Sequence, residues 1–351
     1  MQYLQVPDTI TSTDVRSGKF SWSPSMYRRV VIPNPRTKQV GDLLEGYDKG
    51  SDPGSLSYLR QSTHYLIRTK ALQDHSTLIY PKGDAITPLN PKAFDSLNLN
   101  DGDILLSKDS NIGECAMVDG DRWKNHAISG GIVRLRPAIN RFYLFAFLKH
   151  PVFRKELYSL VPRGATIAHA NTLWLNCKIP FPDQSDSEHV EQYISTLMEA
   201  IVEKERAIRD RNETILREIS SELLGGQSKR TFSYSYPTKD EVKGWGRLDA
   251  AIYSQEYKSK MWLMTNYSKG CRSPTEAGFT VTPGPSLEIK ILRTRIDSDT
   301  VKPSFYALLI PANISEFGTM TRIIGLGTAK KLPLLQQGDS FSGLLSVGWF
   351  R

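Results

Sequence analysis

From Glu188 to Leu224 the chain carries neither glycine nor proline, and its apolar residues recur at helical spacing. Val190, Ile194, Leu197, Ile201, Ile208, Ile215, Ile219 and Leu223 recur in steps of three and four, with Lys204 and Arg211 occupying two positions of the same seam. The pattern predicts one long amphipathic helix with a coiled-coil-like stripe. Ser185 or Ser187 can cap its start. Gly225-Gly226 is expected to end it, in the left-handed conformation that glycine adopts at little cost. At about 1.5 Å per residue the rod would be roughly 54 Å long, which suits a spacer better than an ordinary domain helix.

The flanks of this rod open alike. Asp14-Val15-Arg16 lead through Gly18-Lys19-Phe20 to Met26-Tyr27-Arg28-Arg29. Glu241-Val242-Lys243 lead through Gly246-Arg247-Leu248-Asp249 to Ile252-Tyr253, with Lys258 and Lys260 following. A further echo links Leu99–Ser107 to Leu335–Ser346, each holding a Gly-Asp pair and then Leu-Leu-Ser. Internal repetition constrains architecture more than any single motif, and here it implies one domain type used twice.

Charge separates the rod from its flanks. Of 45 Lys/Arg and 37 Asp/Glu, the rod holds five and nine, so the flanks keep 40 against 28. The net charge of +8 and the pI of about 9.2 therefore belong to the flanking units. An anionic partner is expected, nucleic acid first and a membrane surface second. No apolar run approaches the roughly 18–20 residues of a membrane span. The N-terminus lacks the basic-then-apolar pattern of an export signal. Cys115, Cys177 and Cys271 have no metal-ligand spacing and read as reduced, structural thiols of a cytoplasmic protein.

The first flank, residues 14–182, reads as an α+β unit rich in short strands. Strands are expected at Tyr65–Ile67, Thr77–Tyr80, Asp103–Leu106, Glu114–Val118 and Gly131–Leu135, and one or two short helices over Arg141–Leu160. Polar loops between them carry side chains that read nucleic acid: Lys108 and Asn111; Lys124 and His126; Arg163, Thr166, His169 and Asn171; and Arg60 with Gln61. Arg grips guanine through two acceptors, Asn pairs both groups of an adenine edge, and Lys or Thr holds phosphate. Trp123 and Trp174 are expected in the core rather than as base-stacking platforms.

Signals for catalysis are sparse. There is no phosphate-binding P-loop, and Gly325-Leu326-Gly327-Thr328 lacks the third glycine of a dinucleotide site. The tetrad of amino-methyltransferases is absent, and the histidines have no metal spacing. Glu288-Ile289-Lys290, on a strand-like run, matches the Glu-x-Lys of Mg-dependent nucleases, with Asp249 or Glu276 as the upstream carboxylate. A nuclease using Glu288 and Lys290 is thus one alternative, and a coiled-coil adaptor without a DNA role is another.

The order of these parts resembles the specificity subunit of type I restriction–modification systems. Leu99–Gly113 is similar to the strand and loop of a target recognition domain. Gly164–Asn171 through Ile179-Pro180-Phe181-Pro182 is similar to that domain's closing loop and exit, and Gln192–Leu224 to its helical spacer. Arg247–Tyr253 is similar to the opening of a second recognition domain. The resemblance implies two α+β, β-rich recognition domains related by pseudo-twofold symmetry and separated by a coiled-coil-forming helix. It assigns 14–182 to the first domain, 185–226 to the spacer and 240–351 to the second, apparently incomplete, domain. It further implies a non-catalytic subunit that reads a bipartite site on double-stranded DNA and carries adenine methyltransferase subunits. A restriction and translocase subunit can join; S-adenosylmethionine, ATP and Mg would belong to those partners, and this chain is expected to hold no metal or cofactor. In that family a second spacer follows the second domain, whereas this chain stops at Trp349-Phe350-Arg351. Self-association through Ile194, Leu197, Ile201, Ile208, Ile215 and Ile219 is therefore expected.

Overall fold

Alternation within the short strands dictates how they stack. The computed structural model describes residues 4–5, 7–17, 27–95, 97–161, 169–183, 185–227, 231–280, 287–310 and 313–335, and it divides into two compact units, Met1–Ala207 and Ile208–Arg351. The first unit contains β1 (Leu4–Gln5), α1 (Ser12–Ser17), β2 (Arg29–Val30), β3 (Arg36–Gln39), β4 (Leu44–Lys49), β5 (His64–Ile67), β6 (Ile86–Leu89), β7 (Ile104–Ser107), β8 (Cys115–Met117), β9 (His126–Ile128) and β10 (Ile132–Pro137). Then come α2 (Arg141–Lys149), α3 (Pro151–Leu160), β11 (Lys178–Phe181) and the long α4 (Ser187–Gly225), whose C-terminal part belongs to the second unit.

Two sheets carry this unit: an antiparallel one ordered β4-β10-β7-β8, and one ordered β6-β5-β9 in which β5 and β9 run parallel. The four residues of β7 are all buried, as expected of a strand covered on both faces. Ile104 and Leu106 point into a cluster with Tyr143, Phe145, Leu148 and Phe153 of the helices. Leu105, on the opposite face, joins Ile67 and Ile128 of the smaller sheet. Cys115 and Met117 divide from Ala116 in the same way, because successive side chains of a strand face opposite sides. Asn140 caps α2 by accepting from the Phe142 and Tyr143 amides, and Pro151 opens α3 after His150 accepts from the Val152 amide. Arg134 of β10 donates to Asp48 of β4 at 2.6 and 3.0 Å, tying the sheet's edge across a half-buried face.

The segment Thr77–Tyr80 is not the strand its composition suggested. Leu78 makes a single bridge to Met117, and the Thr77 amide is drawn to the Glu205 carboxylate at 2.7 Å instead of a ladder. Trp174 and Trp123 are core residues, Trp174 fully buried with its indole N–H on the Asn171 carbonyl at 2.9 Å.

The second unit contains α5 (Lys239–Trp245), α6 (Gln255–Thr265), α7 (Ile289–Leu292), β12 (Ile296–Ser298), β13 (Tyr306–Leu308) and β14 (Ile324–Gly327), the strands forming an antiparallel sheet ordered β12-β14-β13. The repeated openings fold alike at first. Asp14-Val15-Arg16 lie in α1 and Glu241-Val242-Lys243 in α5, and Tyr27 and Tyr253 are both buried. They then diverge: β2 follows Tyr27, whereas α6, capped by Ser254 on the Tyr257 amide, follows Tyr253. Gly18, Lys19, Phe20 and Met26, and nearly all of the echo at Leu335–Ser346, lie outside the described residues.

Candidate nucleic-acid interface

Parallel pairing of β5 with β9 decides which loops meet. Tyr65 stands opposite His126, so the segments preceding both strands emerge at the same end of the sheet. Arg60 and Gln61, both exposed, and Lys124 therefore share one end. The Tyr65 amide donates to the Asn125 carbonyl at 3.0 Å, and Lys124 pairs with Asp121 at 2.8 Å. His126 is half-buried, stacked on Tyr65 with centroids 5.1 Å apart and meeting the Trp123 ring edge-on at 4.8 Å. Burial pushes its imidazole down to about 4, so it is neutral at pH 7 and acts chiefly in packing.

The opposite end of β5 and β9 holds the second group. Gly131, just past β9, lies so close to its neighbours that a Cβ there would meet Thr69 at 2.9 Å and Asp109 at 3.3 Å. Asp109, a residue the sequence did not single out, organises this end. It accepts from Lys108 Nζ at 2.8 Å, and its other oxygen meets His169 Nδ1 at 2.7 Å. Burial opposes its charge, but the hydrogen bonds from Lys108 and His169 outweigh that and hold the carboxyl below its ordinary value. The loop is closed by the Ala170 amide on the Lys108 carbonyl at 2.7 Å. Asn111 spends both amide donor bonds on the Thr69 and Leu72 carbonyls, at 3.0 and 2.8 Å. Asn171 sits at a φ of 47° and gives its carbonyl to Trp174. Arg68 and Lys70 flank Thr69 and share Asp84, at 3.7 and 2.8 Å.

The predicted residues thus form two groups rather than one. Arg60, Gln61, Lys124 and His126 stand at one end of β5 and β9; Lys108, Asn111, His169 and Asn171 stand at the other. A four-residue strand separates them by roughly 10 Å. Arg163 and Thr166 lie outside the described residues.

Helix α4 meets the first unit with a face that shares only Ile194 with its predicted stripe. Met198 and Val202 are buried in the main cluster, with Ile194 packed against it. One turn on, Glu205 accepts from both hydroxyls and one amide of Ser76 and Thr77 at 2.6–2.7 Å, and Arg206 reaches Asp101 at 2.8 Å. Leu197, Ile201, Ile208, Ile215 and Ile219 stay 40–53% exposed. In the second unit Arg209, 2% exposed, lies under the Phe317 ring at 5.0 Å, and Glu222 pairs with Lys269 at 2.6 Å. Gly225 and Gly226 do not end the helix in the left-handed conformation, since neither has a positive φ. Gly226 is required for another reason: a Cβ there would collide with the Tyr267 ring.

The other sequence motifs resolve into structure. Glu288-Ile289-Lys290 is no strand; it leads into α7, where the Leu292 amide returns to the Glu288 carbonyl, and Glu288 pairs with Lys290 at 2.7 Å. Gly325 and Gly327 belong to β14, where a Cβ would strike the Thr300 carbonyl and the Phe305 ring, so close packing explains them without a phosphate. Cys115 and Cys177 are buried free thiols and Cys271 an exposed one; burial pushes Cys115 up to about 12. Among the described residues no three His, Cys, Asp or Glu side chains gather as a metal site, and no helix is long and apolar enough to cross a membrane.

No protein-family model matches the chain, and no curated protein does. Solved structures do align with it. One is the S subunit of a type I restriction–modification system from M. genitalium, at 14% identity over 64% of this chain and 52% of that one, with a TM-score of 0.36. A second is from a structural study of complex assembly and conformational transition in the type I R-M system, at 20% identity over 54% of this chain and 44% of that one, with a TM-score of 0.33. A third is the HsdS subunit from Thermoanaerobacter tengcongensis, at 19% identity over 50% of this chain and 40% of that one, with a TM-score of 0.32. The chain spans about half the length, or less, of the structures it aligns with.

Proposed function

We propose that this chain is the DNA-reading specificity subunit of a type I restriction–modification system. Residues 14–182 form its first recognition domain, 185–226 its spacer and 240–351 part of a second recognition domain. The observation that carries the proposal is an acidic helix, with much of its apolar stripe left exposed, between two sequence flanks that hold all of the chain's excess basic charge. Lysine and arginine of the units bind phosphate by releasing counterions, and loop side chains such as Lys108, His169 and Arg163 read base edges. The exposed stripe, Leu197 to Ile219, receives a second helix, and a second copy of this chain supplies one. The chain reads half-sites held at a spacing set by the helix and recruits methyltransferase subunits, which extrude and modify adenine.

Methylated adenines mapped in the source genome, with and without this gene, test the proposal. Loss of one bipartite motif is the expected result, and an unchanged methylation pattern overturns it. At the bench, Lys108→Ala and Arg163→Ala are each expected to weaken specific duplex binding by on the order of 1–3 kcal/mol if they read bases. Unchanged affinity in both variants moves recognition to the Arg60 and Lys124 end. Light scattering that finds a monomer at micromolar concentration removes the self-association.

A further inference from the structure

Beside α3 lies an open cavity of about 560 Å³ that neither the sequence motifs nor the recognition loops account for. That volume falls within the range of small-ligand sites. Its wall is one face of α3, since Pro151, Arg154, Lys155 and Tyr158 follow helical spacing, and Arg28 faces it from the segment before β2. Four cations and two carboxylates line it. The carboxylates are already engaged: Glu114 with Arg154 at 2.5 Å, and Asp74 with His75 at 3.4 Å. Burial also raises Glu114 above its ordinary value, which weakens its hold on negative charge.

Lys149 is spent on structure, donating to the Gln73, Ser76 and Cys115 carbonyls at 2.7, 2.8 and 3.3 Å. Arg154 keeps its Nε buried and without a partner. Arg28 and Lys155 are exposed, and neither has an ion pair among the described residues. The cavity therefore keeps two unneutralised cations beside a phenol, lined also by Leu148 and Pro151.

We propose that this cavity binds a phosphate group, held by Arg28 and Lys155 with Arg154 and Tyr158 beside them. A guanidinium and an ammonium converging from two elements match a phosphate's charge and its several acceptor oxygens. The phosphodiester of bound DNA is the favoured source, a choice that rests on the DNA-reading proposal. The cavity wall continues into the loop that carries Lys108 and Asn111. Gly113 of that loop abuts Arg154, whose Cγ would stand 3.0 Å from a Cβ at Gly113. A free nucleotide is the other source of the same chemistry.

The full-length chain and its Arg28→Ala/Lys155→Ala variant test this, with fluorescence anisotropy on duplexes of unrelated sequence across a salt series. Removing two phosphate contacts should weaken binding about tenfold at fixed salt and lower the slope of log affinity against log salt by about 2, alike for every sequence. Arg28→Lys/Lys155→Arg should retain most of the affinity, which separates charge from shape. In parallel, calorimetry with ATP, AMP and inorganic phosphate reads the free-nucleotide source. Binding of these that the double alanine variant abolishes, with duplex affinity unchanged, assigns the cavity to a soluble phosphate. If neither duplex slope nor nucleotide binding distinguishes the variant from the parent chain, the phosphate site is overturned. Failure of the parent chain to bind any duplex at low salt removes the DNA-reading proposal alone, because the calorimetric arm still decides the cavity.

Discussion

The two units use different physics to hold together. In the first, one apolar cluster gathers buried side chains from β7, β8, β10, β11, α2, α3 and α4 around Trp174, Tyr143 and Phe145. A second cluster fills the other face of the same sheet. In the second unit the described cluster comprises Leu292, Leu326 and Leu332, with Leu287, Tyr306 and Leu308 against it. Much of the rest is exposed pairs: Lys260 with Glu256, Arg295 with Asp297, Arg322 with Asp299 and Lys269 with Glu222. Burial stabilises in proportion to the apolar area removed from water, whereas exposed ion pairs contribute little. The first unit therefore carries most of the chain's intrinsic stability.

The sharpest way to break that contrast is to cut both cores. Trp174→Ala should cost about 3–5 kcal/mol in urea unfolding, since it empties a fully enclosed site and orphans the Asn171 carbonyl. Leu326→Ala should cost about 2 kcal/mol and shift only the transition of the second unit. An equal or larger loss at Leu326 would mean that the small cluster is the true keystone.

Glu205→Ala comes next. It leaves the Thr77 amide and hydroxyl without their acceptor, while the Ser76 hydroxyl keeps the Leu78 carbonyl, at a cost of about 1–3 kcal/mol. Hydrogen exchange should then rise at residues 76–78 and along 195–206, and equal exchange in both proteins would show that the apolar contacts alone dock the helix.

A smaller effect should follow pH. His126 is neutral in the fold, with its proton affinity depressed from the ordinary 6.5 to about 4, so the unfolded chain binds more protons between those values. Its contribution is full above about pH 6.5 and is lost as pH falls towards 4. A melting series from pH 7 to 4 should show a shallower decline for His126→Gln than for the parent chain; identical slopes would place His126 in a solvated setting. The least effect is expected from Glu256→Gln in α6, where an unchanged melting temperature fits an exposed pair.

The resemblance between the repeated openings was legible because the same residue types recur: an acid, a valine and a base in a short helix, then a buried tyrosine. Their divergence was not, because Ser254 acquires its role only by capping α6 with its side chain on the Tyr257 amide. The strands at 104–107 and 115–117 announced themselves by apolar runs bounded by turn residues. Thr77–Tyr80 carried the same signal and became irregular, because a carboxylate more than a hundred residues away claims its amide. Asn111 looks like a base reader by residue type, yet its side-chain amide is engaged with the Thr69 and Leu72 carbonyls, and Asp109, which joins Lys108 to His169, carries no such signal in the sequence.

The long helix shows where the boundary falls. Spacing alone determined that α4 exists, that it is amphipathic and acidic, and that basic charge lies on either side of it. These follow from the helical period and from counting charges, both local properties of the chain. Only the tertiary structure decided which face is buried. Met198, Val202 and Glu205 meet the first unit because its sheet and the Ser76–Thr77 turn offer an apolar wall and three donors there. Of the Leu and Ile stripe, Ile194 packs against the main cluster while Leu197, Ile201, Ile208, Ile215 and Ile219 stay exposed. The same holds for the recognition loops: their residues were visible in the sequence, but the parallel pairing of β5 and β9 sorted them to two ends, and strand direction is set by packing rather than by the strands' own residues.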